Sequence, residues 1–290
     1  MKLHAGVILD LLRVKQWTKN LLIYAALIFT NNLFNPVYFG KVTLGFFLLC
    51  FAASSLYIFN DLADYKSDKL HPQKKNRPIA AGAVQKDFAW FLGLLLMTIS
   101  LIGSFFLNFH FFLLIIVYIV MTTSYTLSLK HVVIIDVFIL SAGFVLRAIA
   151  GALVLSVSIS PWLLICTFLL ALFLAFAKRR NELTIPDANK HRKILEEYSI
   201  PLLDEMISVV TASTVIAYSL YTFTSSTAAK HNYLMLTIPF VLYGIFRYLY
   251  LVHKKNMGGS PESILLKDKP TLINIVLFVS ATIIIVYFIK

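Results

Sequence analysis

Four polar side chains follow directly on a long apolar run: Asn60, Asp61, Asp64 and Asp68. The carboxylates are spaced i, i+3 and i+7, so on a helix all three lie on one face, which Asn60 borders. Carboxylates held this close repel one another, and a bound divalent cation relieves the repulsion. Mg2+ suits the position because it takes one or two carboxylates and completes its shell with water and phosphate oxygens. The spacing therefore predicts a magnesium site at Asp61, Asp64 and Asp68.

Basic residues follow in the same hydrophilic stretch, in the segment His71-Pro72-Gln73-Lys74-Lys75-Asn76-Arg77-Pro78. We expect these basic residues to hold phosphate charge that the metal leaves uncovered. The competing interpretation is an ordinary solvated helix end whose acidic side chains face water. Charge is scarce elsewhere in the chain and the cluster adjoins an apolar run, so we favour the ligand site.

The composition is that of a membrane protein. Of 290 residues, 59% are hydrophobic and 14% are charged, whereas charged residues make up about 25% of soluble chains. The net charge of +12 alone would suit nucleic acid, but the placement of the cations favours membrane lipids and no nucleic acid. Cys50 and Cys166 lie inside apolar runs, which favours packing over a disulfide or metal pair. Residues 1–20 lack a continuous apolar core, so we expect no cleavable signal peptide.

Nine apolar stretches are about long enough to cross a bilayer as helices. They cover 20–39, 42–59, 88–107, 109–128, 132–154, 161–177, 207–227, 233–252 and 271–289. We therefore predict an all-α polytopic membrane protein with nine transmembrane helices, folded as a single domain over 1–290. The hydrophilic loops 60–87 and 178–206 are longer than a turn requires, and we expect them to carry the site.

Lys and Arg are distributed unevenly between the two sides of the predicted membrane. The side with the N-terminus holds 21 of the 26, and the other side holds three. By the positive-inside rule the N-terminus is cytoplasmic, and nine spans place the C-terminus on the opposite face of the cytoplasmic membrane. Every acidic residue except Asp136 also falls on the cytoplasmic side, which predicts a cytoplasm-facing active site. Contact with anionic lipid is an alternative role for many of these cations.

Further cations stand at the ends of spans or inside them. Arg147 lies mid-span, and Asp136 is three turns earlier, so we expect Arg147 either to pair with a carboxylate of another helix or to face a substrate cavity. Lys178-Arg179-Arg180 ends the sixth span as a compact anion-binding candidate. Lys15 and Lys19 are four residues apart, which on an α-helix places them on one face. For Lys178-Arg179-Arg180 and for the pair of Lys15 and Lys19, the alternative role is charge at the membrane surface.

These motifs together resemble the UbiA superfamily of intramembrane prenyltransferases. Asn-Asp-x-x-Asp-x-x-x-Asp follows the second span and Asn-Arg-Pro-Ile-x-x-Gly follows at 76–82. Tyr125-Thr126-Leu127-Ser128-Leu129-Lys130 matches the family's Tyr-Ser-x-x-Leu-Lys pattern, with Thr126 in place of Ser. The resemblance covers nearly the whole chain. It implies a UbiA-like helix bundle in which Mg2+, held at two Asp-rich motifs, ionises a prenyl diphosphate.

The second Asp-rich motif is where the chain departs from that family. After the sixth span it has Lys178-Arg179-Arg180-Asn181-Glu182-Leu183, which leaves one acidic residue among three cations. This stretch, together with 13–21, 197–199 and 259–262, resembles the branch of decaprenyl-phosphate phosphoribosyltransferases. That branch moves a phosphoribosyl group from 5-phosphoribosyl 1-pyrophosphate to a polyprenyl phosphate.

The resemblance implies roles for the candidate residues. Asp61, Asp64 and Asp68, bordered by Asn60, would hold Mg2+ on the pyrophosphate leaving group, and the basic residues after them would hold donor phosphates. Glu182 would contact a ribose hydroxyl or a cation. The other candidates for binding the donor or the lipid phosphate are Lys15, Lys19, Lys74, Arg77, Tyr125, Lys130, Arg147, Lys178, Arg179 and Arg180.

Two other functions stay open at this point. A conventional prenyl transfer to an aromatic or lipid acceptor would keep the second Asp motif, which this chain lacks. A non-catalytic lipid carrier would spread polar residues along its spans at mid-depth, whereas here they concentrate at one face. The sequence leaves open the polyprenyl chain length, and whether the protein forms a homo-oligomer.

Overall fold

A computed structural model describes the chain except for residues 1–4, 71–73, 159, 185–192, 226, 232, 256, 260–263, 265–266 and 290. The elements of the described part are α-helices and short 3-10 helices. We number the α-helices as α1 Ala5–Leu11, α2 Ala25–Phe29, α3 Pro36–Ala63, α4 Tyr65–Leu70, α5 Lys86–Leu107, α6 Phe109–Leu127, α7 Ile135–Leu155, α8 Pro161–Leu183, α9 Ile200–Thr224, α10 Ile238–Lys255 and α11 Lys269–Phe288.

Eight helices in the described part are long and apolar enough to cross a bilayer. They are α3 and α5 to α11, with α10 lengthened at its start by a 3-10 turn over Leu234–Thr237. Each of them contains most of one predicted apolar stretch. The all-α, polytopic class predicted from hydropathy is therefore confirmed.

The first predicted span takes a different form. Val14–Tyr24 is a 3-10 helix that continues into the short α2, and the chain then turns before α3 begins at Pro36. A single helix over 20–39 is therefore wrong. The shared face of Lys15 and Lys19 is wrong too, because a 3-10 helix has about three residues per turn and residues four apart differ by about a third of a turn. Lys15 is exposed, while Lys19 is half-buried.

Polar side chains set the start of two spans. Asn35 Oδ1 accepts hydrogen bonds from the N–H groups of Val37 and Tyr38, the second and third residues of α3. Asn108 caps α6 in the same way, immediately after α5 ends. These caps satisfy N–H groups that a helix start leaves without an intrahelical partner. Asn108 alone therefore separates α5 from α6 in a tight hairpin.

Helices α3, α8 and α9 extend further towards their polar ends than predicted. α8 continues to Leu183 and α9 begins at Ile200, so the cations at 178–180 lie on the last turns of a helix and not in a loop over 178–206. Asn60 and Asp61 likewise lie on the last turn of α3. Cations near a helix C-terminus interact favourably with its dipole, and long basic side chains reach water from there.

Helix α7 joins two apolar cores. One core forms around α3, α6, α7 and the 3-10 helix, and the other forms around α7 to α10. Gly151 brings α7 against the 3-10 helix, since a Cβ atom there would lie 2.0 Å from the carbonyl oxygen of Ile23. Small residues permit such close backbone contact between helices in membranes.

Candidate active site

Two buried carboxylates share one guanidinium at the end of α3. Asp61 is 3% exposed, and Asp68 of α4 is 1% exposed. Arg77 Nη1 donates to Asp61 Oδ1 at 3.0 Å and to Asp68 Oδ2 at 2.7 Å. Lys74 Nζ lies 4.0 Å from Asp68 Oδ1. The structure thus brings together four of the predicted site residues.

A second arginine reaches the same cluster from near the N-terminus. Arg13 Nη2 donates to Asp61 Oδ1 at 2.5 Å, and the guanidinium lies 4.6 Å from the ring centroid of Tyr57. The backbone of Arg13 is left-handed, with φ 51°, between α1 and the 3-10 helix. A non-glycine residue in that region is strained. Sequence reasoning missed this contact. The available signal was a cation at the polar end of the first apolar stretch.

Asp64 and Asn60 border the carboxylate cluster. Asp64 is half-buried and ends α3, where the backbone leaves helical geometry before α4 starts. The N–H of Asp68 nevertheless donates to the Asp64 carbonyl oxygen at 2.9 Å, so the three carboxylates follow one another within about two helical turns. Asn60 Nδ2 donates to Thr126 Oγ1 on the last turn of α6 at 3.2 Å.

The charge balance of the cluster bears on the predicted metal. Within the described residues, no three Asp, Glu, His or Cys side chains stand close enough together to hold an ion. Arg13 and Arg77 neutralise the carboxylates here. Asp68 Oδ1 is nevertheless a buried carboxylate oxygen without a hydrogen-bond partner in the described part, which is costly. Carboxylate oxygens are the ligands that Mg2+ prefers, so the chemistry of Asp61 and Asp68 fits such an ion.

The cationic stretch at the end of α8 is held by carboxylates of this chain. Arg179 is 1% exposed, and its Nε donates to Asp136 Oδ2 at 2.8 Å. Its Nη1 donates to Glu182 Oε2 at 2.7 Å. The hydroxyl of Tyr198 donates to Asp136 Oδ1 at 2.9 Å, and burial raises the pKa of Tyr198 to about 12, so that hydroxyl keeps its proton. Arg179 is therefore a fixed part of the packed interior.

Arg180 points to the other side of α8. Its Nε donates to Asp204 Oδ1 of α9 at 2.5 Å, and His253 Nε2 of α10 lies 3.2 Å from the same oxygen. Lys178 precedes this pair and is half-buried. The two arginines of the predicted motif thus have different partners, since Arg179 pairs with Asp136 and Glu182 and Arg180 pairs with Asp204.

The last turn of α6 lies between the two charged clusters. Thr126 accepts the hydrogen bond from Asn60, and Tyr125 lies within electrostatic range of Arg179. Lys130 follows in the 3-10 turn Leu129–His131 and is half-buried. The end of α6 thus contacts Asn60 through Thr126 and lies near Arg179 through Tyr125, and Lys130 is in the turn that follows.

The hydrogen-bond partners of Arg147 within the described residues are neutral groups. Its Nε donates to Asn20 Oδ1 at 2.7 Å, Nη1 to the Gly143 carbonyl oxygen at 2.6 Å, and Nη2 to the hydroxyl of Tyr118 at 3.1 Å. The side chain is 6% exposed. Lys19 lies within electrostatic range of Tyr118. Of the two alternatives for Arg147, these contacts do not support the carboxylate partner, because oxygen dipoles from the 3-10 helix, α6 and α7 surround the charge.

An apolar groove lies beside these polar groups. It has a volume of about 410 Å3 and lies between α6, α7 and α8. Met121, Leu146 and Phe168 are among the side chains that line it. The motif residues at 71–73 and 260–262 lie outside the described part of the chain.

The fold and this charged region define a class: a polytopic α-helical membrane protein with a carboxylate and arginine site at one end of its bundle. A model of the UbiA prenyltransferase family matches residues 21–267. The chain belongs to the UbiA prenyltransferase family, which confirms the resemblance that the motifs carry.

Two curated relatives share the name decaprenyl-phosphate phosphoribosyltransferase. The protein from Mycolicibacterium smegmatis is 35% identical over 272 residues, which cover 89% of this chain and 85% of the relative. The protein from Corynebacterium glutamicum is 34% identical over 267 residues, covering 89% and 80%. Both alignments extend over most of each chain.

Among solved structures, a UbiA homolog from Archaeoglobus fulgidus bound to GPP and Mg2+ has the same fold. It superposes with a TM-score of 0.72 over 97% of this chain and 99% of its own, at 19% identity. A likeness at that level of identity establishes the fold, and the chemistry has to come from the residues of this chain.

Proposed function

We propose that the protein transfers a 5-phosphoribosyl group from 5-phosphoribosyl 1-pyrophosphate to a polyprenyl phosphate and releases pyrophosphate. The observation that carries this proposal is the 35% identity over 89% of the chain to a relative named for that activity. The basic stretch at 178–180 supports it, since both substrates are rich in phosphate and the second Asp-rich motif is absent.

The carboxylate cluster is the donor site in this proposal. Asp61, Asp64 and Asp68 would hold Mg2+, which would neutralise charge on the pyrophosphate as it leaves. The Archaeoglobus fulgidus homolog was solved with Mg2+, which supports use of a divalent cation by this fold. Arg13 and Arg77, which pair with Asp61 here, would donate to pyrophosphate oxygens.

The second charged cluster takes the remaining phosphates. Lys130, Arg147, Lys178, Arg179 and Arg180 are the candidates for the donor 5-phosphate and the acceptor phosphate. We assign direct contact to Lys130 and Lys178, which are half-buried at the ends of α6 and α8. The buried Arg179, held by Asp136 and Glu182, positions the end of α8 and gives the region positive potential.

The three other predicted residues have supporting roles. Tyr125, which lies near Arg179, would contact the ribose. Lys19, near Tyr118, and the exposed Lys15 add positive charge along the 3-10 helix. The apolar groove between α6 and α8 has the chemistry to hold the first part of the polyprenyl chain.

The reaction needs no general base. An oxygen of the lipid phosphate, already anionic, forms a bond to C1 of the ribose, while the bond from C1 to the pyrophosphate oxygen breaks and pyrophosphate leaves with the electron pair. A single displacement inverts the configuration at C1. Arginine and lysine side chains stabilise the charge that develops on the leaving group, which is where catalysis chiefly lies.

We further infer nine crossings, with the charged region at the cytoplasmic side. At about 2.0 Å per residue for the 3-10 part and 1.5 Å for α2, the segment 14–29 is roughly 30 Å long. It starts at Arg13, beside Asp61, and ends where the hydroxyl of Tyr287 near the C-terminus donates to the Leu27 carbonyl oxygen. This supports a ninth crossing and a C-terminus at the opposite end of the bundle. The uneven distribution of Lys and Arg supports a cytoplasmic N-terminus.

The reaction can be tested on purified protein in liposomes with Mg2+, a polyprenyl monophosphate and donor labelled in the ribose. We expect label in the lipid fraction, and loss of transfer with EDTA or in Asp61→Asn. Asp87→Asn is the matched control, since Asp87 is exposed at the start of α5 in the same hydrophilic stretch. No label in lipid, together with consumption of prenyl diphosphate in a parallel reaction, would refute the proposal in favour of conventional prenyl transfer.

A further inference from the structure

A polar cavity lies at the end of the bundle opposite to the carboxylates. Its volume is about 500 Å3, and it is bounded by α2, the end of α7, the start of α8, the end of α9 and the turn that follows. Ser160 at its edge is the residue before α8, and Arg179 is near the other end of that helix. At 1.5 Å per residue the two are roughly 30 Å apart. The cavity is therefore distinct from the site described above.

The lining changes character with depth. Ala148 and Ala152 form its inner wall on α7, while Ser158, Ser160 and Lys230 lie beyond or between the helix ends. Ala148 is seven residues, roughly 10 Å, below the end of α7. A molecule that fills this space has a polar group at the level of the helix ends and an apolar part that extends towards the middle of the bundle.

Two buried polar atoms in the cavity lack a well-formed hydrogen bond within the described part of the chain. Tyr221 is 3% exposed and lines the cavity, and its hydroxyl lies near Thr227 but donates to no acceptor there. His231 also lines the cavity, and its buried Nδ1 atom has no hydrogen-bond partner among the described residues. Buried polar atoms are nearly always paired, so two in one cavity point to a polar ligand.

The electrostatics of the cavity favour an anion. The N-terminus of α8 opens at its edge, where Pro161 has no N–H and Ser160 makes no side-chain cap. A helix N-terminus carries partial positive charge and binds phosphate groups. Lys230 stands at the rim, and none of the described residues that line the cavity is acidic.

We propose that this cavity binds the phosphate headgroup of a membrane lipid, with the start of the lipid chain against α7. Tyr221 and His231 would donate to phosphate oxygens, Lys230 would pair with the charge, and the alanines would contact the chain. An ordinary phospholipid and a polyprenyl phosphate share this headgroup chemistry. The proposal does not depend on the proposed transfer reaction, because the cavity is at the other end of the bundle.

The test measures lipid binding by the full-length protein in detergent, by native mass spectrometry with phosphatidic acid. The double variant Tyr221→Phe/Lys230→Gln should bind it at least about tenfold more weakly, the loss expected for one hydrogen bond to a charged group. Lys41→Gln is the matched control, since Lys41 is an exposed cation near the start of α3, at the same end but outside the cavity. Its affinity should equal that of the wild type.

Three results would overturn the proposal: equal binding of diacylglycerol, an equal loss in Lys41→Gln, or competition by inorganic phosphate at the same concentration as the lipid. Displacement of phosphatidic acid by polyprenyl monophosphate would identify a prenyl lipid as the occupant. Retention of phosphatidic acid would identify an ordinary phospholipid. Transfer activity of the double variant should be unchanged. The lipid-binding proposal and the proposed transfer reaction are therefore tested separately.

Discussion

The buried pair of Arg179 and Asp136 should stabilise the fold far more than an exposed pair nearby. Asp136 is 0% exposed and accepts hydrogen bonds from Arg179 Nε at 2.8 Å and from the hydroxyl of Tyr198 at 2.9 Å. Asp136→Asn keeps the shape and removes the charge, which leaves a buried guanidinium with Glu182 as its remaining charged partner. Removing one partner of a buried pair costs roughly 3–5 kcal/mol.

The matched control is Asp204→Asn. Its pair with Arg180 has the same chemistry and lies on the same helix end, but the Asp204 side chain is 37% exposed. Pairs at the surface contribute about 1 kcal/mol or less. The free energy of unfolding would be measured for both variants in mixed micelles by titration with a denaturing detergent. Equal losses in the two variants would refute the reasoning.

A second variant separates the lone charge from simple loss of packing. Asp136→Leu/Arg179→Met replaces both members of the pair with apolar side chains, which is often close to neutral at buried sites. We expect the double variant to recover a large part of the stability that Asp136→Asn loses. If the double variant is as unstable as the single one, the unpaired guanidinium is not the source of the cost.

Three further predictions concern other parts of the chain. Asp68→Asn should abolish phosphoribosyl transfer while the protein still inserts and elutes as the folded species in size-exclusion chromatography; near-normal turnover would remove Asp68 from the donor site. Gly151→Ala should lower the melting temperature clearly more than Gly6→Ala. A Cβ atom at position 151 would lie 2.0 Å from backbone, whereas one at position 6 would meet nothing within 4 Å. Equal shifts in melting temperature would contradict the close contact at Gly151. Hydrogen bonds from Arg247 hold the pKa of Asp268 well below its usual range. The stability advantage of wild type over Asp268→Asn should therefore be full above about pH 4 and fall as the pH drops further. Melting curves from pH 6 to pH 3 measure this advantage, and an advantage that grows on acidification would contradict the prediction.

Hydropathy predicted most of the fold because bilayer length and apolar composition constrain each span. It could not predict the 3-10 helix at Val14–Tyr24, since most of that helix lies in the polar residues before the apolar stretch at 20–39. The observed helix ends lie beyond the predicted ends of the spans for a related reason. Charged residues such as Arg179 signal the polar end of a span, and yet the hydrogen-bonded helix continues through them for another turn.

The candidate site was predictable where neighbours in sequence are also neighbours in space. Asp61, Asp68 and Arg77 lie within one stretch and do meet. The contact from Arg13 and the pair of Asp136 with Arg179 join distant segments, so spacing along the chain gives no distance. Asp136 could have been paired by topology: it begins α7, Arg179 ends the next helix, and the two helices pack against each other.

The central claim, that the group transferred is ribosyl phosphate, is tested most directly by a donor with two labels. The donor would carry 14C in the ribose and 32P in the terminal phosphate of its pyrophosphate, and would be incubated with the protein, Mg2+ and polyprenyl monophosphate. We expect 14C in the lipid fraction and all 32P in the aqueous fraction as pyrophosphate. Appearance of 32P in the lipid, or of neither label, would contradict it.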